Sequence, residues 1–310
     1  MAAGTRRTAS GSTPGTHVEV DGRRLVLSNL EKILYPEAGF TKAQVIDYYA
    51  RIAPVMVPHL AGRPVTLVRC PNGVEGERFF EKRCPPHHPD WVPEIGELNQ
   101  CDIDEPAALV WLANLAALEL HTLQARAANA DRPDAVVFDL DPGPPAGVLD
   151  AATVAIELRA LLDSIGLVAL VKTSGSKGLH LSVPLHTEVD AETTKRFALT
   201  LGNHLAQLAP DRVTTDMTKA KRPGKVFVDW SQNDRHKTTV CVYSLRARPQ
   251  PTVSTPVTWD EVAVAIANDD PDALVFDTAE VLARVDELGD LNADNVALEQ
   301  RLPHTGGATS

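Results

Sequence analysis

Apolar and polar residues alternate through HVEVDGRRLVLS on both sides of Asp21-Gly22, which predicts a β-hairpin turning at that pair. The period changes at Thr41. Val45, Tyr48, Tyr49, Ile52 and Met56 recur at helical spacing, and Thr41-Lys-Ala-Gln44 is a capping box. A helix is expected from there to about Leu60. GRPVTLVRCPNGV reads as a strand closed by a Pro-Asn-Gly turn, and the proline-rich residues 84–104 read as an irregular loop. PAALVWLANLAALELH is apolar on nearly every side, so a mostly buried helix ending at His121 is expected.

The second half repeats a different rhythm. The strand VVFDLDPGP is followed by a helix over 148–165, a strand (LVALVKT), a small-residue loop (SGSKG), and a strand (LHLSVPL). A helix over 190–209 and the strands KVFVDW and TTVCVYSL complete the series. Helices interleaved with strands predict an α/β protein with a mixed sheet. The earlier hairpin and helix form an N-terminal α/β portion, and the last 50 residues form a helical appendage. Residues 1–16 and 301–310 read as tails around a single unit, 17–300, and residues 1–16 have the composition of a disordered segment.

The strand 136–141 carries the first chemistry. Side chains alternate along a strand, so Asp139 and Asp141 share a face. Pro142, Gly143 and Pro144 then end the strand. Two carboxylates that close do not both stay ionised without a cation, and hard cations take carboxylate oxygens. KVFVDWSQN places a third carboxylate, Asp229, on an apolar strand beside Phe227 and Ser231. Three such aspartates suit a two-metal site, in which one ion activates an attacking hydroxyl and the other grips a triphosphate. Between them, the glycines of SGSKG let backbone N–H groups face an anion, Lys177 adds a charge, and His180 opens the next strand. Lys219, Lys221, Arg222, Lys225, Arg246 and Arg248 are further candidate phosphate partners.

Charge sharpens this picture only when it is mapped. The chain carries −11, but residues 260–300 hold 12 acidic residues against Arg284 alone, so the remainder is neutral. Within it, Met217–Arg248 has eight Lys or Arg and two Asp, a local basic stripe suited to nucleic acid. No apolar run has the length of a membrane span, and the first residues lack the hydrophobic centre of a signal peptide, so a cytoplasmic, nucleoid-associated protein is expected. Four cysteines without a CxxC pair (Cys70, Cys84, Cys101, Cys241) are expected to be free thiols.

VVFDLDPG, TSGSKGLH, GKVFVDWSQN and YSLRAR, in this order, closely resemble the polymerase domain of bacterial ligase D, a member of the archaeo-eukaryotic primase superfamily. The resemblance runs from about Val18 to beyond Trp259. It implies a primase-type catalytic core acting on gapped or broken duplex DNA with NTP or dNTP, extending 3′ ends across short gaps in repair and preferring ribonucleotides. It implies that Asp139, Asp141 and Asp229 bind two divalent ions, Mn²⁺ or Mg²⁺. It places Ser174, Lys177, Gly178, His180, Arg222, Gln232 and Arg246 around the incoming nucleotide, with His121 nearby. Asn29, Lys32 and Lys42 in SNLEKILYP and TK resemble the pocket for a downstream 5′-phosphate, and Arg69, Phe79 and Phe80 the template contacts. A DNA ligase and an end-binding protein acting in trans are the implied partners. The chain departs from the family at Val68, where a basic residue is usual, at Cys70 in place of a larger aromatic, and in a shorter loop over 84–104.

Three other readings compete. FDLDPG also resembles the first motif of haloacid-dehalogenase-type phosphatases, with Asp139 as nucleophile and Asp269-Asp270 as the late acidic pair, but 138 residues precede it and Gly143 stands where Thr or Val is usual. A module that only binds DNA needs no strand-borne carboxylates. Cys84, His87, His88 and Cys101 are spaced as a zinc knuckle with an unclear fourth ligand.

Overall fold

The computed structural model describes residues 15–186 and 188–303. The expected tails fall mostly outside them. Asp21 (φ 47°) and Gly22 (φ 76°) make the turn between β1 (Thr16–Val20) and β2 (Arg23–Leu27), as the alternation requires. A second hairpin, β3 (Ile33–Tyr35) and β4 (Phe40–Thr41), leads straight into α1 (Lys42–Leu60). Thr41 accepts from the Gln44 N–H and Gln44 caps Thr41 in return, which satisfies two donors a helix start otherwise leaves open.

After β5 (Val65–Arg69) and β6 (Phe79–Glu81), residues 84–104 are more ordered than their prolines suggest. They contain the short hairpin β7 (Glu94–Ile95) and β8 (Gln100–Cys101), turned by Gly96 (φ 73°) and Asn99 (φ 51°). The Cys84 N–H donates to the Asn99 carbonyl at 2.8 Å, which brings Cys84 beside Cys101, and the two form a disulfide. The expectation of four free thiols therefore fails for this pair, and only Cys70 and Cys241 are free, both buried. The zinc knuckle falls with it, because sulfurs bonded to each other are no longer thiolate ligands.

A second correction follows. The buried run expected as one helix to His121 is α2 (Pro106–Asn114) and then β9 (Ala117–Thr122). Ala116, at φ 57°, reverses the chain between them. The run is buried on all sides, so apolar content alone does not separate helix from strand. The alternation of Ala117-Leu-Glu-Leu-His121 carries the true period of two.

The second half follows the expected series: β10 (Ala135–Pro142), α3 (Val148–Ser164), β11 (Leu170–Thr173), β12 (Leu179–Pro184), α4 (Ala191–Leu208), β13 (Val213–Thr214) and β14 (Val226–Asp229). TTVCVYSL is a strand only over β15 (Thr239–Val240), since Tyr243 takes φ 64°. The proline-rich stretch after it supplies β16 (Pro256–Val257), an edge strand, before α5 (Trp259–Ala267), α6 (Thr278–Leu288) and α7 (Asp294–Ala297). No helix among the described residues is long and apolar enough to cross a membrane.

Two six-stranded sheets result. The first runs β15-β9-β5-β8-β7, with β6 also on β5, and the second β13-β14-β10-β12-β11-β16. All pairings are antiparallel except β13 with β14, so the mixed α/β architecture stands. Tyr35, Tyr48, Tyr49, Ile52 and Met56 anchor one core under α1, and Phe138, Leu140, Leu158 and Leu162 the other under α3. Each large apolar side chain so buried contributes about 1.5–3 kcal/mol.

The stretch 239–257 is bonded to both sheets. β15 pairs with β9, and the Cys241 N–H donates to Leu120 O at 2.8 Å. Tyr48 and Tyr35 donate to the carbonyls of Tyr243 (2.8 Å) and Arg246 (2.9 Å). β16 then pairs with β11. Arg246, in the middle of this stretch, is thereby fixed through its backbone.

Candidate active site

Register builds the site. Asp139 lies opposite His180 of β12 on one side and opposite Asp229 of β14 on the other, and His180 lies opposite Lys172 of β11. Directly opposed residues share a face, so Lys172, His180, Asp139 and Asp229 form one row across four strands, with Asp141 one step along the same face. His180 Nε2 is 3.3 Å from Asp139 Oδ1. Gln232 Nε2 approaches Asp139 Oδ2 (3.4 Å) and Asp229 Oδ2 (3.1 Å). β14 stops at Asp229, so Ser231 is not on the strand face. It turns back, and its N–H (3.0 Å) and hydroxyl both donate to Asp229 Oδ1.

Asp141 faces cations. Lys177 Nζ lies 2.9 Å from its Oδ1, and Arg222 Nη1 3.8 Å from its Oδ2, with the Arg222 guanidinium 3.7 Å from the centre of the Phe227 ring. Burial works against a charge on Asp139, but His180, Lys172 and Arg246 together hold its carboxyl below the ordinary range. Burial presses the other way on Lys172, whose ammonium is pushed down to about 7 while it donates to Ser254 Oγ (2.6 Å) and Val240 O (3.1 Å).

The SGSKG loop is tightly fixed. Gly175 has φ 65°, and a Cβ there would meet Val253 backbone at 2.7 Å; a Cβ on Gly178 would meet Leu140 O at 2.1 Å. Both glycines are needed because the loop lies directly on its neighbours. The N–H groups of Ser176 and Gly178 point at Ser174 Oγ, each at 3.2 Å. They are spent inside the loop, so its attraction for an anion rests on Lys177 and the neighbouring arginines more than on a ring of free N–H groups.

Arg246 donates to the Ser174 carbonyl, and its Nε is 3.2 Å from Glu119 Oε1. Glu119 Oε2 is 2.8 Å from His121 Nε2, and Oε1 also accepts the Ala247 N–H at 2.8 Å. Burial would raise this carboxyl, but the His121 bond and Arg246 outweigh it and hold the group at about 2. Sequence reasoning passed over Glu119. Its signal was a charged residue inside an apolar alternating run, two places before His121 and so on the same face. His121, Asp139, Asp141, Ser174, Lys177, Gly178, His180, Gln232, Arg246 and Arg248 line one open cleft of about 250 Å³. Asp229, Arg222, Lys219, Lys221 and Lys225 are not among its lining residues; Lys221 pairs with Asp216 (2.6 Å) and Lys225 donates to Pro210 O (2.6 Å).

The remaining candidates form two other groups. Asn29 (φ 53°), Lys32 and Lys42 come together where the Lys42 N–H donates to Lys32 O at 2.8 Å. Lys42 Nζ donates to Ser28 O (2.6 Å), Lys32 Nζ to Asn72 Oδ1 (2.9 Å), and burial with Lys32 close by pushes Lys42 down to about 8. Arg69 is held by Glu81 (2.8 Å) and Leu115 O (3.0 Å). Phe79 and Phe80 are not core residues: Phe80 is 73% exposed on the short strand β6.

Comparison with known proteins shows the family. A family model described as "LigD, primase-polymerase domain" matches residues 41–292. The multifunctional non-homologous end joining protein LigD of Mycolicibacterium smegmatis is 45% identical over 278 residues, covering 87% of this chain and 36% of that protein. The bifunctional LigD of Bacillus subtilis is 32% identical over 269 residues, covering 86% of this chain and 43% of that protein. The chain thus spans less than half the length of these relatives. The solved polymerase domain of Mycobacterium tuberculosis ligase D, in complex with DNA, superposes with a TM-score of 0.82 at 42% identity, covering 88% of this chain and 98% of that one.

Proposed function

Since the chain belongs to the LigD primase-polymerase domain family, we propose that it is a DNA-dependent nucleotidyltransferase that extends 3′ ends across short gaps in broken DNA, with ribonucleotides preferred. The observation that carries this reading is a cleft lined by Asp139 and Asp141 together with Lys177, His121 and Arg246, with Asp229 directly opposite Asp139 on the next strand. The aspartates suit cations and the basic residues phosphates. Residues 17–300 form the catalytic unit in this reading, acting in the cytoplasm at the nucleoid.

The donor set fits divalent cations. Hard carboxylate oxygens stand on one face of two adjacent strands, and every partner they now have is a cation or a donor. Among the described residues no three His, Cys, Asp or Glu side chains are grouped so as to hold a metal ion by themselves. Two ions, manganese or magnesium, held by Asp139, Asp141 and Asp229 would lower the pKa of an attacking 3′-hydroxyl and neutralise the triphosphate. Lys177 and Arg246 orient the phosphates by charge-assisted hydrogen bonds. Gln232 keeps Asp139 and Asp229 aligned, and His180 holds Asp139 from behind.

Asn29, Lys32 and Lys42 would grip the 5′-phosphate across the gap, and Phe80 would stack on a template base. A ligase and an end-binding protein would act with it in trans. The phosphatase alternative has no support: the family model spanning 41–292 is that of a polymerase, and Asp269 and Asp270 follow α5, outside the cleft. The test is primer extension on a gapped duplex with NTPs or dNTPs and Mn²⁺ or Mg²⁺. Incorporation favouring NTPs supports the reading, and no incorporation under any of the four conditions rejects it.

A further inference from the structure

We propose that Glu119 is a positioning residue that presets both His121 and Arg246 for the nucleotide triphosphate. The inference rests on the polymerase reading above for the identity of the ligand, but its geometry is independent of it. Glu119 is only 7% exposed, yet it makes three polar contacts: the His121 ring, the Arg246 guanidinium and the Ala247 N–H. A buried carboxylate with that set of partners stays ionised, and it is held at about 2.

The consequence for His121 follows from hydrogen-bond chemistry. An ionised carboxylate only accepts, so the proton in the bond to Glu119 lies on His121 Nε2. Nδ1 is then the nitrogen left for the cleft, in one fixed orientation. Arg246 is constrained in a complementary way. Glu119 Oε1 forms an ion pair with it 3.2 Å from Nε while the Ser174 carbonyl accepts from Nη1, which keeps the guanidinium against the SGSKG loop. The two groups also come from segments far apart in sequence, His121 from β9 and Arg246 from the stretch after β15. One carboxylate thereby fixes their separation. Preorganising two phosphate-side groups, Arg246 as it stands and His121 when its ring also carries a proton on Nδ1, removes an ordering cost that binding would otherwise carry.

The test uses the intact chain. Glu119→Gln keeps the shape but removes the charge; binding of a base-labelled fluorescent ATP is titrated without DNA, and gap extension is followed in parallel. The expected result is roughly a tenfold loss of triphosphate affinity, about one charge-assisted contact. In extension this appears as a raised KM with kcat little changed. Arg246→Ala should weaken binding as well, and the double variant should lose less than the sum of the two single losses, because only the His121 part of the Glu119 effect then remains. Long-range ¹⁵N NMR of the His121 ring should show a fixed Nε2–H form in the parent and mixed tautomers in Glu119→Gln. Unchanged nucleotide affinity, losses that simply add in the double variant, or an unchanged His121 tautomer overturns the proposal. Triphosphate binding by the parent without any extension would instead sink the polymerase reading and leave the positioning role standing.

Discussion

Asp139 lies directly opposite Asp229 across the β10–β14 pair, and a single amide, that of Gln232, reaches both carboxylates. Two anions this close in a half-buried row are held by donors and cations on every side. That arrangement makes the aspartates interchangeable with no neutral residue. Asp139→Ala, Asp141→Ala and Asp229→Ala should each abolish extension while leaving affinity for gapped duplex within a few-fold, measured by fluorescence anisotropy. Near-normal incorporation by any of the three would remove it from the metal-binding set.

The Asn29–Lys32–Lys42 group should make the protein prefer a gap that ends in a 5′-phosphate. A terminal phosphate carries more charge than an internal one, and the preference should fade with salt. Because Lys42 is held at about 8, it loses its proton as pH rises past that point, so the preference should be strong at pH 7 and weak at pH 9. Lys32→Ala combined with Lys42→Ala should erase it and spare extension of a plain primer–template. Titration of paired substrates at two salt concentrations measures this; equal affinities for the parent at low salt would reject the pocket.

Lys172 should write its signature on stability. Its folded value is about 7 against an ordinary 10.5, so between those limits the unfolded chain binds a proton that the folded one does not. Stability contributed by this group therefore rises with pH across the window and is flat below it. Melting temperatures at pH 6.5 and pH 9 should show the rise in the parent and a much flatter dependence in Lys172→Met. A steeper rise in the variant would contradict the assignment.

The Cys84–Cys101 bond closes a loop with a sequence separation of 17 residues, for which chain entropy gives about 3 kcal/mol. Cys101→Ser should lower the melting temperature by several degrees under oxidising conditions and by little under reducing ones. Alkylation of the denatured, unreduced protein should modify two cysteines, Cys70 and Cys241. Four modified cysteines would show that the bond is absent.

Much of the site was readable because strands have a period of two. Asp139 and Asp141 fall on one face from spacing alone, and Asp229 stood out as a charge in an apolar strand. What spacing cannot give is register between strands far apart in sequence. That Lys172, His180, Asp139 and Asp229 share one row depends on three pairings, and only that of β11 with β12, across the SGSKG loop, is local. Glu119 escaped for a related reason. Its partner Arg246 is 127 positions away, and the run around it was assigned to a helix, in which Glu119 and His121 would not face the same way. The disulfide was missed because the hairpin that joins its two ends is hidden among prolines whose turn geometry only the fold reveals.

The stretch 239–257 leaves one sheet at β15 and enters the other at β16, with tyrosines from α1 and β3 tying down its middle. It behaves as a fixed-length spacer. Lengthening it by one residue would slide Arg246 past Glu119 and Ser174 and turn the alternate face of the chain toward the cleft. Apart from positions such as Arg246, residues along this stretch are therefore free to vary but their number is not, whereas the connection between β6 and β7, pinned at Cys84, joins strands of one sheet and does not set the position of Arg246. Insertions and deletions among relatives should collect in the second and be missing from the first, leaving a length signature where residue identity alone shows none.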